Sequence, residues 1–211
     1  MIKAPLYNLK AEKISDLTLP KSVFEVKYLP QLISQCLRVY LANRRSAFAK
    51  VKDRGEIAGT TKKMWSQKGT GRARHSTAKV GIFVGGGSVH GPQGNQNFRL
   101  NLNQKTKKLA FNSLLSKFAQ EKSILIVDDF KDLSPKTKAA WDFIDLLEKD
   151  HQILAKSKKI GIITDVTADN VSRAFRNIAG FSLISLKSIN ITDLSAQNFL
   201  IFSRQAVESL K

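Results

Sequence analysis

From Asn43 to Phe98 the chain keeps neither the 3.6-residue period of a helix nor the alternation of a strand for more than a few residues. A connection of that length without secondary structure of its own is uncommon inside a compact domain and marks either a functional segment or disorder. Any globular fold must therefore be assembled from the residues on either side of it. The charge is concentrated in the same place. Between Asn43 and Lys108 there are 15 Lys and Arg but only two acids, Asp53 and Glu56, so most of the formal +18 charge of the 211 residues lies in this stretch. A pI near 10.1 with its cations gathered in one segment predicts a polyanionic partner, nucleic acid or an anionic surface.

Residues 67–94, QKGTGRARHSTAKVGIFVGGGSVHGPQG, hold eight glycines and four Lys or Arg without one acidic side chain. Glycines interleaved with cations suggest a phosphate-gripping loop, but such loops need fixed spacings. No window has the P-loop arrangement of two glycines four residues apart followed by Lys and a hydroxyl residue. The dinucleotide pattern G-x-G-x-x-G begins at Gly85 and Gly87 and fails at His90. What remains suits an irregular polyanion better than one small nucleotide. Phe48, Trp65, Ile82, Phe83 and Phe98 lie among the cations, unlike the side chains of a flexible linker. Rings that stack on bases beside cations that neutralise phosphates describe a segment that orders on RNA or DNA. The competing reading is a disordered basic arm whose rings pack on its own domain.

The flanks carry ordinary fold signals. A short strand is predicted over Ile2 to Leu9, and after Pro30 the residues Leu32, Ile33, Cys36, Leu37, Tyr40 and Leu41 recur with helical spacing up to about Asn43. Phe111, Leu114, Leu115 and Phe118 mark a second helix behind the basic turn Lys105, Lys107 and Lys108. Buried strands follow at Ile124–Val127 and Ile160–Ile163, with others near Leu183–Leu186 and at 199–203. Between them a helix is expected from the cap signal Ser134-Pro135 through Trp141, Ile144 and Leu147 to about Lys149, then a short one over Val171–Ile178. A terminal helix carries Ala206, Val207 and Leu210. Alternating strands and helices predict an α/β fold: a mostly parallel, helix-covered sheet, three-layered and Rossmann-like, with the long basic loop inserted after the first helix. The expected division is a globular domain of residues 1–42 and 99–211 and a loop of residues 43–98.

Such a sheet invites an enzymatic alternative. Asp128 and Asp129 end one strand and Asp165 another, where open α/β sheets bind ligands, and together they could hold Mg²⁺ for phosphoryl transfer. The plainer expectation is that these acids cap the helices that follow. His75 and His90 sit in the glycine-rich stretch as donors to RNA, and no HxxxH or CxxC spacing supports a metal site. The single cysteine, Cys36, falls between apolar residues and is expected to be buried, which leaves no internal disulfide. No apolar run approaches a membrane span, and MIKAPLYNLKAEK lacks the apolar core of a signal peptide, so a soluble protein without a leader is expected.

The run RGEIAGTTKKMWSQKGTGRARHSTAKVGIFVGGGSVHGP, residues 54–92, closely resembles the signature of the bacterial-type large-subunit ribosomal protein four family. Trp65, Gln67, Lys68, Gly69, Thr70, Gly71, Arg72, Ala73 and Arg74 match the family core residue by residue, and the likeness continues through LANRR at 41–45, KKLAFNSLLS at 107–116, IVDD at 126–129 and the closing NITDLSAQNFLIFSRQAVESL. The chain departs from the pattern at Met64, where the family commonly has proline, and at Ser66, where it often has arginine. After Gly91-Pro92 it also lacks the usual second proline and tyrosine.

The resemblance implies a structural RNA-binding protein of the large ribosomal subunit, bacterial or organellar, that is no catalyst and uses no cofactor, metal or small-molecule substrate. Its partners would be the large-subunit ribosomal RNA, neighbouring large-subunit proteins and the nascent polypeptide. The α/β domain would sit on the particle's exterior while the loop penetrates the RNA. Arg44, Arg45, Lys50, Lys52, Arg54, Lys62, Lys63, Lys68, Arg72, Arg74, Lys79, Arg99, Lys105, Lys107 and Lys108 would meet phosphates, and Trp65, His75, Phe83 and His90 would meet bases. The tip, Ser66 to Gly71 with Gln67, Lys68, Gly69 and Thr70 between them, would line the peptide exit tunnel. Chain geometry permits the reach: half of the loop fully extended spans up to roughly 90 Å, against a radius of gyration of about 15 Å for the domain.

Overall fold

The computed structural model describes residues 2–130, 132–165 and 169–210. Six strands form one mixed sheet: β1 (Lys3–Tyr7), β2 (Lys13–Thr18), β3 (Ile124–Val127), β4 (Ile160–Thr164), β5 (Phe181–Ser185) and β6 (Phe199–Ser203), in the order β2-β1-β3-β6-β4-β5. All neighbouring pairs are parallel except β1 with β2, which forms an antiparallel edge. The helices are α1 (Lys21–Phe24), α2 (Pro30–Asn43), α3 (Gln104–Gln120), α4 (Thr137–Asp150), α5 (Gln152–Lys156), α6 (Asp169–Phe175), α7 (Ile191–Ser195) and α8 (Arg204–Ser209).

Strands β3, β4 and β6 are buried along their whole length, which explains why they read as unbroken apolar runs. Their side chains alternate between two apolar clusters. Ile124, Ile126, Leu200 and Phe202 join Ile33 and Cys36 of α2 and Leu114, Leu115 and Phe118 of α3. Leu125, Val127, Phe199 and Ile201 join Phe143, Ile144 and Leu147 of α4 and Val171 and Phe175 of α6. Two buried hydroxyls of α3 serve the connection between α1 and α2. Ser113 Oγ accepts from the Leu29 N–H at 2.8 Å and donates to the Lys27 carbonyl, while Ser116 Oγ accepts from the Val26 N–H at 2.9 Å. Partly buried backbone groups of this connection are thereby satisfied.

Several expectations need correction. Strand β2 was absent from the sequence reading because only one of its edges is paired and its residues are almost all exposed, Ile14 among them. The cap signal Ser134-Pro135 does not start a helix: α4 begins at Thr137, with Lys136 in the extended cap position. Its buried face is Ala140, Phe143, Ile144 and Leu147, and Trp141 is 47% exposed.

The chain divides into two compact units, one made of the residues up to Tyr40 and from Asn101 on, the other of Leu41–Leu100. From Arg44 to Asn103 there is neither helix nor strand, and the only ladder contact is an isolated antiparallel bridge between Lys50 and Gln93.

Candidate nucleic-acid interface

The Leu41–Leu100 unit is built from two limbs and a turn-rich tip. At its base the Asn43 amide clasps one residue of the returning limb: Nδ2 donates to the Leu100 carbonyl at 3.1 Å, and Oδ1 accepts from the Leu100 N–H at 2.8 Å. The Arg45 guanidinium lies 4.2 Å from the centre of the Phe98 ring, a cation–π contact. Farther along, the Val51 N–H donates to the Pro92 carbonyl at 3.0 Å and the Ser88 N–H to the Lys52 carbonyl at 3.1 Å. Gly87 is buried where the limbs cross, and a Cβ there would collide with the backbone of Arg54. That glycine is required by packing between the limbs.

Beyond the crossing the tip closes on itself. The Met64 N–H donates to the Ser76 carbonyl at 2.9 Å, and the indole N–H of Trp65 donates to the Ala73 carbonyl at 3.0 Å. Trp65 meets His75 edge-on with ring centres 5.7 Å apart, His75 meets Phe83 at 4.9 Å, and the Arg72 guanidinium sits 5.9 Å over the Trp65 ring. Trp65, His75 and Phe83 thus pack on one another, each half-buried. Gly69 and Gly71 have φ of +84° and +63° with open space where a side chain would stand, so turn geometry selects glycine there. Lys63 Nζ donates to Gln67 Oε1 at 2.7 Å and Ser66 Oγ to the Lys68 carbonyl at 3.0 Å, while Ser66 through Gly71 are all exposed.

The unit presents its charge to solvent. Arg44, Arg45, Lys50, Lys52, Arg54, Lys62, Lys63, Lys68, Arg72, Arg74 and Arg99 are exposed, Lys79 is half-buried, and His90 is exposed with φ +56°. Both acids are engaged: Glu56 pairs with Lys50 at 3.1 Å, and Asp53 Oδ1 accepts from the Arg54 N–H at 2.7 Å. Most cations therefore face solvent with no carboxylate of the unit to neutralise them, the arrangement that binds polyanions by releasing counterions. Lys105, Lys107 and Lys108 are exposed as well, but they belong to the other unit, on the first turns of α3. Sequence reasoning missed Asn43 and Ser76 as structural partners, because neither belongs to a periodic pattern.

Among the described residues the carboxylates at the strand ends do not gather into a group of three that could hold a metal ion. Asp128 accepts from Arg204 Nη1 at 3.0 Å, and Arg204 is also bonded to Glu208. The helix α4 is entered from Lys136 without a side-chain cap. Among the described residues no group of three His, Cys, Asp or Glu side chains could hold a metal ion. Among them, too, no helix is long and apolar enough to cross a membrane.

A profile described as the ribosomal protein L4/L1 family matches residues 17–211. The chain belongs to this family. It is 33% identical over 211 residues to the large ribosomal subunit protein uL4 of Clostridium botulinum strain Okra, covering 100% of this chain and 98% of that one. The uL4 of C. botulinum strain 657 gives the same values, and that of Halothermothrix orenii is 32% identical over 205 residues, 97% of this chain and 95% of its own. The profile begins within β2, but the two C. botulinum relatives align over all 211 residues, so β1 lies within the aligned region.

Proposed function

We propose that this L4/L1-family chain is a structural constituent of the large ribosomal subunit in the cytoplasm, and not an enzyme, and that its residues 43–98 form an extended basic loop that enters large-subunit ribosomal RNA. The observation that carries this reading is the set of exposed, unneutralised cations on the Leu41–Leu100 unit, in a chain that aligns over its full length with uL4 proteins. Residues 1–42 and 99–211 would form the anchoring domain, a helix-covered, Rossmann-like sheet. Arg and Lys of the two limbs would neutralise crowded phosphates, Arg bridging two oxygens where RNA strands approach. The Trp65–His75–Phe83 cluster holds the tip in shape before RNA arrives, so that its outer faces, with Arg72 and Arg74, meet bases without first ordering the chain.

On this reading Ser66, Gln67, Lys68, Gly69, Thr70 and Gly71, exposed and set by two left-handed glycines, line the nascent-peptide exit tunnel. Ser66 in place of arginine makes the tip less charged, and Met64 in place of proline leaves a backbone N–H that the Ser76 carbonyl uses. Neighbouring large-subunit proteins and the nascent polypeptide complete the partners, and binding supports early assembly of the subunit. The test is co-sedimentation with large subunits through a high-salt wash, together with the salt dependence of binding to large-subunit RNA. If about eight phosphates are neutralised, the log–log slope is roughly −6 to −7, and deletion of residues 44–98 flattens it. Loss of the protein into the wash, or a slope unchanged by the deletion, would overturn the reading.

A further inference from the structure

Outside the basic unit, α2, α3, α7 and α8 surround a cavity of about 430 Å³. Its apolar wall is formed by the half-buried rings of Tyr40 and Phe111 with Leu186, Ile189 and Leu210. Lys107 and Lys108 also line it, both exposed, and among the described residues that line it none is Asp or Glu. We propose that this cavity receives one unstacked nucleotide of an RNA, its base against the Tyr40 and Phe111 rings and its phosphates against Lys107 and Lys108.

Three observations favour a nucleotide over an apolar side chain of a protein partner. The volume is in the range of sites that enclose small ligands and exceeds what one inserted side chain fills. The two cations without a compensating acid complement phosphate and are superfluous for an apolar insert. The polar groups that remain suit a base edge. Asn112 commits its Nδ2 to the Ser22 carbonyl at 3.2 Å, which leaves Oδ1 to accept, and the Asn190 side chain stands at the N-cap of α7 without making a capping hydrogen bond. Single-stranded RNA is read by aromatic stacking joined to hydrogen bonds of this kind. The inference rests on the RNA-binding reading above, but uses residues outside Leu41–Leu100.

The experiment uses the full chain, large-subunit RNA carrying thiouridine, and photocross-linking with the protein sites located by mass spectrometry. The parent is expected to give cross-links on the peptides containing Tyr40 or Phe111 as well as within residues 41–100. Ser209→Trp, at an exposed position on the cavity wall, is expected to lower the first set about tenfold and leave the second set unchanged. Lys107→Ser with Lys108→Ser gives the same separation without adding bulk. The proposal is overturned if cross-links fall only within 41–100, if both variants keep those at Tyr40 and Phe111, or if a protein peptide occupies these sites in assembled subunits. Absence of cross-links anywhere in the chain would overturn the RNA-binding reading itself.

Discussion

The Asn43 side chain bonds both backbone groups of Leu100, accepting from its N–H at 2.8 Å and donating to its carbonyl at 3.1 Å. One amide thus closes an excursion 57 positions long. Asn43→Asp keeps the acceptor but sets a negative charge against the Leu100 carbonyl, and Asn43→Ala removes both bonds. The clasp is exposed, so each change is expected to cost at most about 1 kcal/mol. Amide exchange at Leu100 is expected to accelerate well beyond that at β6; equal protection in parent and variants would show that the clasp does not hold the base of the unit.

The packing of Trp65 on His75 gives a spectroscopic handle. In a Trp141→Phe background, which removes the other indole, His75→Ala is expected to shift Trp65 emission to the red and increase its quenching by acrylamide. Trypsin is expected to cut the limbs, at sites such as Arg44 and Lys52, sooner than Arg72 and Arg74. Large-subunit RNA should protect all of them. If Trp65 behaves as a solvated indole in the parent, the cluster does not persist in solution.

Glycine substitutions should separate by cause. Gly69→Val and Gly71→Val meet no neighbour but force a β-branched residue to positive φ, a cost on the order of 1–2 kcal/mol each. They are expected to reshape the tip and impair assembly or passage of nascent chains while leaving RNA affinity at low salt intact. Gly71→Asn, which tolerates that φ, is expected to restore function. Gly87→Ala instead drives a methyl into the Arg54 backbone and is expected to disturb both limbs. Nuclear magnetic resonance shifts of Arg54 and Trp65 distinguish the two patterns; a silent Gly87→Ala would deny the crossing.

His151 gives the folded chain a pH dependence. Its Nε2 lies 2.9 Å from Tyr7 Oη, within hydrogen-bond distance. Burial holds its pKa below the ordinary value; Asp150 opposes that shift and Lys13 adds to it. The folded state therefore binds fewer protons than the unfolded state, and the contribution is fully present above about pH 6.5 and is lost as pH falls through the folded pKa. His151→Phe, which keeps a ring against Phe199, is expected to flatten the slope of the urea midpoint between about pH 7 and pH 5. An unchanged slope would show that His151 does not contribute to it.

Asp128→Ala with Asp165→Ala separates scaffold from catalyst. The Asp128–Arg204 pair is about half exposed, so its loss is expected to cost under about 1 kcal/mol, with RNA binding and incorporation into subunits nearly unchanged. Mg²⁺-dependent turnover of a phosphate compound that the double change abolishes would restore the enzymatic alternative.

The legible parts of this fold are those where burial acts on neighbouring residues. Strands β3, β4 and β6 are covered on both faces and so are apolar throughout, and the stripe of α3 repeats because one side of it packs. Strand β2 could not be read this way, since a solvated edge strand needs no pattern beyond backbone pairing. Within the basic unit, charge marked the segment, but its internal order depends on residues distant in the chain. Trp65 finds His75 ten positions on, and Gly87 admits Arg54 across the limbs. Neither meeting leaves a periodic trace. The glycine run was legible as freedom of the backbone, while its reason at Gly87, an absent Cβ where two limbs touch, needed the third dimension.

The middle of the sheet is made last. Strand β6 lies between β3 and β4, which pair with it and not with each other, although both precede it in the chain. During synthesis the ladder cannot close until residues 199–203 have left the translating ribosome, long after residues 43–98 have emerged. Every newborn copy thus passes through an interval in which the basic unit is already displayed and the sheet is still unfinished. On the reading proposed above, any RNA met in that interval meets the basic unit before the sheet that follows it is complete.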